Sequence, residues 1–231
     1  VETLRPRHLV FHDLLDGYSV NPHHRGNPFA ALVKRHTGKD DAQAEVLRAV
    51  KFLTDRTYAG TEQIVVPSNH DDFLRRWIID TDWRSDPTNA KFYLTTALAM
   101  VESAKLTPRG VQYADPFQYW VRRYARESCE VRCLGADESF VLGDVEYGLH
   151  GDRGPNGSRG SARSLRRIGV KTVIGHSHTP AIEEGCYQTG TSTRLRLEYN
   201  AGPSSWLQSH VAQYASGKRC LINIIEGEWR L

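Results

Sequence analysis

The sequence contains no CxxC pair, no apolar run of about eighteen residues, no internal repeat and no low-complexity tract. Each absence removes a class of protein. Cys129, Cys133, Cys186 and Cys220 are the four cysteines of 231 residues. They lack zinc-ribbon spacing and are too few for a disulfide scaffold, so reduced thiols are expected. With neither a long apolar run nor a signal peptide, the expected product is soluble and cytoplasmic, without a membrane partner. No linker is visible either, so one domain over residues 1–231 is the economical expectation.

What is present is globular: 39% hydrophobic and 25% charged residues, with a formal net charge of +3. That mild basicity permits a polyanionic partner without arguing for one. Ten histidines are many for this length, and several stand beside Asp, Asn or a second His. Such clusters call for a metal hypothesis.

The short apolar runs at 8–11, 63–66, 131–134, 140–149 and 170–174 read as strands, as does 220–225, while 193–199 alternates before a turn. Helical spacing is found over 40–58, with Asp40 or Asp41 as N-cap, and over 73–79, 88–104, 116–125 and 161–168. Residues 21–27 are loop chemistry. The helix-rich stretch at about 84–128 reads as an insertion.

The strand ends share a feature. H-D-L-L-D from His12, S-N-H-D from Ser68, L-H-G-D from Leu149 and G-H-S-H from Gly175 each follow a short apolar run. Open α/β sheets build their sites where strand C-terminal ends converge. Carboxylate, amide oxygen and imidazole together suit manganese, iron or zinc. Each motif alone has a plainer reading: an H-x-H turn, an Asn or Asp helix cap, a core histidine at 150. Their common placement favours a metal centre.

In that order the motifs resemble those of the calcineurin-like metallophosphoesterases, over about residues 8–205. The later N-A-G-P-S-S resembles a turn of the same family. The resemblance implies a four-layer αββα sandwich with a helical insertion, holding two divalent metal ions. Manganese is the first choice, with iron, zinc, nickel or magnesium as substitutes. Carried onto this chain, Asp13 would bridge the metals. Asn69, His150 and His176 would complete one metal site, and His178 would serve the other. His70 would assist the leaving oxygen, Asp71 would orient its ring, and Asp16 would support the site without ligating. A metal-activated water would attack phosphorus directly.

Three departures stand out. His12 and Ser68 occupy family glycine positions, and the family's first motif, D-x-H, is absent from these residues. With Val1 in place of an initiator Met, the expectation is that the first βα unit and its two ligands lie upstream.

The substrate clue is H-G-D-R-G-P-N-G-S-R-G-S-A-R-S-L-R-R from His150. Arg153, Asn156 and Arg159 are candidate phosphate contacts, followed by Arg163, Arg166 and Arg167. The glycines would let backbone N–H groups approach phosphate. A solvated loop before a basic helix is the bland alternative. His23 and His24 could line the entrance. Tyr113, Phe117, Tyr119, Trp120 and Tyr124 could stack bases, but at helical spacing they read as core. The expectation is therefore a nuclease acting on nucleic acid, DNA in preference to RNA, similar to the family's nuclease branch and some phage-encoded members. A phosphomonoesterase or protein phosphatase is the alternative. A catalytically incomplete nucleic-acid or partner-binding module is another.

Overall fold

The computed structural model describes residues 3–108, 110–127, 129–197 and 202–229. Its contacts divide the chain into two compact units, Val1–Val65 with Asn69–Cys133, and Val66–Ser68 with Leu134–Leu231. The architecture is mixed α/β, with six α-helices and thirteen strands among the described residues.

In the first unit, β1 (His8–His12), β2 (Glu62–Val66) and β5 (Val131–Cys133) form a sheet in the order β1-β2-β5. Strands β2 and β5 run parallel, with Ile64 opposite Arg132. Helices α1 (Pro28–His36), α2 (Ala42–Thr54), α3 (Asp71–Asp80), α4 (Ala90–Ser103) and α5 (Pro116–Tyr124) belong to this unit. So does a small hairpin of β3 (Lys105–Thr107) and β4 (Gly110–Gln112). Helix α5 packs against α2, α3 and α4. It starts where the sequence dictates: Asp115 accepts from the Gln118 amide, and Pro116 takes the first helical position. Trp120 stacks against Phe92 and Tyr124 at 4.8 and 5.1 Å, and its indole N–H donates to Thr96 at 2.9 Å. Phe117 and Trp120 are buried with Leu53, Leu74 and Trp77, so these aromatics are core.

In the second unit, a five-stranded sheet runs β6-β7-β8-β10-β9. Its members are β6 (Val141–Leu142), β7 (Val145–Glu146), β8 (Lys171–Ile174), β9 (Ala181–Glu183) and β10 (Cys186–Gln188). Strand β8 is parallel to both neighbours, and β9–β10 is a hairpin. A second antiparallel sheet holds β11 (Gln208–Gln213), β12 (Arg219–Ile225) and β13 (Glu228–Trp229). Helix α6 (Ala162–Leu165) buries Ala162 and Leu165 with Ile174 and Cys186.

Several expected elements differ. The single strand over 140–149 is a hairpin of two short strands, because Gly143 turns the chain at φ 66. The helix over 161–168 is one α turn followed by a 3-10 turn ending at left-handed Gly169. Residues 193–197 form no strand, and the rest of that segment through Asn200 and Ala201, where the N-A-G-P-S-S turn begins, lies outside the described residues. Helix α1 was not expected, although Asn27 caps it and Pro28 opens it.

Candidate metal and phosphate site

In the first unit, β1 delivers Asp13 in the left-handed region at φ 56. Such a conformation is strained for residues with a Cβ and is best tolerated by Asp and Asn. The chain then doubles back, with Leu15 buried in the core. Asp71, buried at the start of α3, accepts a hydrogen bond from the Leu15 amide at 3.3 Å. Its carboxylate thereby ties the loop after β1 to α3, a job the sequence did not reveal.

His70 Nδ1 faces Asp13 Oδ1 at 4.0 Å and Asp16 Oδ1 at 3.8 Å. Its ring stacks on Phe73 at 4.9 Å. His23 meets the same Phe73 edge-on at 5.9 Å, and His24 packs edge-on against Tyr18 at 5.2 Å. Gly17 is needed here: at φ 67, a Cβ would lie 3.0 Å from the Phe73 ring. Glu45 clamps the loop beyond it, accepting from the Tyr18 and Ser19 amides at 2.9 Å each. Asn69 sits in the turn between β2 and α3.

Both ring nitrogens of His12 are shut off from solvent, and burial pushes its imidazole down to about 4. Because the folded value lies below the unfolded one, this contribution to stability is complete above about pH 6.5. It is lost as the pH falls toward 4. A loss of about 3 kcal/mol across that window is expected, and His12→Phe should flatten it. Urea midpoints from pH 7.5 to 4.5 check this; parallel curves for the two proteins would refute it.

In the second unit, the Glu146 carboxylate accepts from the Ser139 hydroxyl and from the Phe140 and Gly148 amides, the latter two at 2.9 and 2.5 Å. This clamp precedes buried His150. The carbonyl of His150 accepts from the Gly175 and His176 amides at 2.9 and 3.1 Å, fixing the turn after β8. As a result His150 Nε2 and His176 Nδ1 stand 3.3 Å apart, with the rings at 78°. His178 packs edge-on against Trp206 at 4.1 Å, and its carbonyl accepts from the Leu207 amide at 3.2 Å.

Among the described residues, no group of three or more His, Cys, Asp or Glu side chains is placed to hold a metal ion. The His150–His176 pair nevertheless has the donor chemistry for one. Two imidazoles about 2.1 Å from a common ion, subtending about 104°, place their nitrogens at this separation. Without an ion the same pair is an N–H···N hydrogen bond.

Residues 151–160 form a closed loop. Gly154 donates to the Ser158 carbonyl at 2.7 Å and Gly160 to that of Asp152 at 2.8 Å. A Cβ on Gly160 would lie 2.0 Å from the Gly151 carbonyl oxygen. These glycines are therefore required by the loop's own packing. Arg153 approaches Asp137 and Asp152 at 3.8 and 3.7 Å. Asn156 turns the loop at φ 58, and Arg159 is exposed. Phe73, Glu146 and Trp206 were missed by sequence reasoning, since nothing in their local pattern marks which histidine or loop each supports.

No helix among the described residues is long and apolar enough to cross a membrane. The chain is 32% identical over 233 aligned positions to Protein A1 of Escherichia phage T5, covering 99% of this chain and 41% of that protein. The chain thus spans about two fifths of the length of the curated relative it matches. No family model and no solved structure matches the chain.

Proposed function

We propose that this chain is a metal-dependent phosphodiesterase that cleaves nucleic acid, DNA in preference to RNA, with the host cytoplasm as its compartment. On this reading the fold is the four-layer αββα sandwich of the metallophosphoesterases. The single observation that carries the reading is the approach of His150 Nε2 to 3.3 Å from His176 Nδ1, enforced by backbone hydrogen bonds at the end of β8. Two imidazoles locked nitrogen to nitrogen at a strand end are the start of a metal site.

In the second unit, His150, His176 and His178 would be ligands of divalent metal, manganese first. When bound, such ions acidify a water and absorb charge on the phosphoryl oxygens. The chain's own groups supply the rest. With Nδ1 of His70 turned to two carboxylates, Nε2 is the atom left for the leaving oxygen. Stacking on Phe73 holds that ring's plane. His23, sharing Phe73, lines the approach, with His24 next to it. Arg153, Asn156 and Arg159 offer polar contacts to the substrate's phosphates.

The test is a substrate panel. The chain, with bound metal quantified, is incubated with manganese and with DNA, RNA, bis(p-nitrophenyl) phosphate or p-nitrophenyl phosphate. Diester and DNA cleavage that EDTA abolishes is expected. Cleavage of the monoester alone would replace the nuclease reading with a phosphatase. Inactivity on all four, with DNA still bound, would replace it with a binding module.

A further inference from the structure

A second basic feature lies in the second unit, apart from the histidines. An open surface cleft of about 420 Å³ is lined by Ser161, Arg163, Ser164, Arg166 and Arg167. Its floor is firmly held. The Ala162 amide donates to Gln188 Oε1 at 3.2 Å, and Gln188 Nε2 donates to the Thr179 carbonyl at 2.6 Å. Ala162 and Leu165 are buried with Ile174 and Cys186.

The three guanidinium groups are not equivalent. Arg166 is committed to Glu184 and Glu183 at 2.8 and 3.3 Å. Arg163 and Arg167 are exposed and form no hydrogen bond or ion pair among the described residues. The two serine hydroxyls are occupied as well, bonded to each other's backbone and to one another. What the cleft offers a ligand is thus two unneutralised guanidinium forks above a hydrogen-bonded floor. That chemistry selects phosphate by charge and bidentate geometry, with nothing left to read a base.

Topology places this cleft along the path from the histidine pair. Gln188, bonded to the start of α6, is in register with Ile174, two residues before His176. Arg167 lies four residues before Lys171, where β8 begins. The strand between Arg167 and the histidine turn has four residues, a length of about 13 Å. A span of about 13 Å is on the order of a few nucleotides of a polynucleotide strand.

We propose that Arg163 and Arg167 form a second phosphate-binding site, gripping the sugar-phosphate backbone of a polynucleotide a few nucleotides from the attacked phosphodiester and without regard to sequence. The substrate class, though not the cleft, rests on the phosphodiesterase reading.

The experiment reads binding rather than turnover. Fluorescence anisotropy of a labelled single-stranded 20-mer in EDTA, over 50–300 mM salt, compares wild type with Arg163→Ala/Arg167→Ala. Arg48→Ala/Lys91→Ala, exposed in the other unit, loses the same charge as a control. The arginine pair should lose affinity on the order of tenfold near 100 mM salt, and its salt slope should fall by about 1.4, or about 0.7 per single-strand phosphate contact. The control should do neither, and the loss should be equal for two unrelated base sequences. Equal affinity for the arginine variant and the control overturns the proposal. So does inorganic phosphate or pyrophosphate binding lost by calorimetry while oligonucleotide affinity stands, which would make the cleft a free-anion site. Because the metal is chelated, a wild type that hydrolyses no diester sinks the phosphodiesterase reading and leaves this measurement standing.

Discussion

His176→Ala should lower manganese-supported hydrolysis of bis(p-nitrophenyl) phosphate about a thousandfold. The proposed centre provides several kcal/mol of charge stabilisation in the transition state, and each 1.36 kcal/mol is a factor of ten in rate. His176 stands 3.3 Å from His150 across the two ring nitrogens, so its loss takes away half of the best-defined donor pair. A purely structural role would look different. Removing the N–H···N partner from buried His150 should cost about 1–3 kcal/mol of stability, independent of metal. Melting is therefore measured in EDTA and again with manganese. A metal role predicts a stabilisation by manganese in the wild type that His176→Ala lacks, alongside reduced metal stoichiometry. A variant that keeps its manganese, its stabilisation and its turnover would remove His176 from the site.

The second large effect is expected at Gly148. A Cβ there would lie 2.2 Å from the Glu138 carbonyl oxygen, 2.9 Å from Glu146 Oε1 and 3.0 Å from the Phe140 nitrogen. Two of these neighbours are backbone and the third is the carboxylate that braces the loop, so none can yield without breaking the clamp ahead of His150. Gly148→Ala should cost about 3–5 kcal/mol, on the order of 10 °C in melting temperature for a chain of this size. Gly26→Ala is the contrasting case. Gly26 has φ 73 but nothing within 4 Å of its added Cβ, so only backbone strain of about 1–2 kcal/mol applies. Differential scanning calorimetry of both variants separates crowding from strain. Gly148→Ala melting no lower than Gly26→Ala would show that the clamp yields, and that Glu146 does not position His150.

Much of the scaffold was legible because its signals are local. Asp41 caps α2 and Asp115 caps α5, each accepting from the amide three residues on. The β-branched run of β2 is buried on both sides, as an apolar strand must be. The aromatic spacing of α5 pointed inward for the same reason. Helix α1 was overlooked although Asn27-Pro28 is a start signal, because Asn27 was counted with the loop residues 21–27. The hairpin within 140–149 went unseen because Gly143 was read as part of a strand.

By itself the sequence determined which groups follow β1, β2 and β8: Asp13, then Asn69 and His70, then His176 and His178. It also determined that guanidinium groups crowd the stretch before β8. Which of those groups meet was decided only by tertiary structure. The His150 carbonyl captures two amides twenty-five and twenty-six residues away, and that long-range bond brings the two imidazoles nitrogen to nitrogen. Asp71 turned out to bind the Leu15 amide, and Arg166 turned out to be neutralised while Arg163 and Arg167 were not. The physical reason is the same in each case. Residue type and spacing set what a side chain can bond, whereas register and loop closure set what lies within about 3 Å of it.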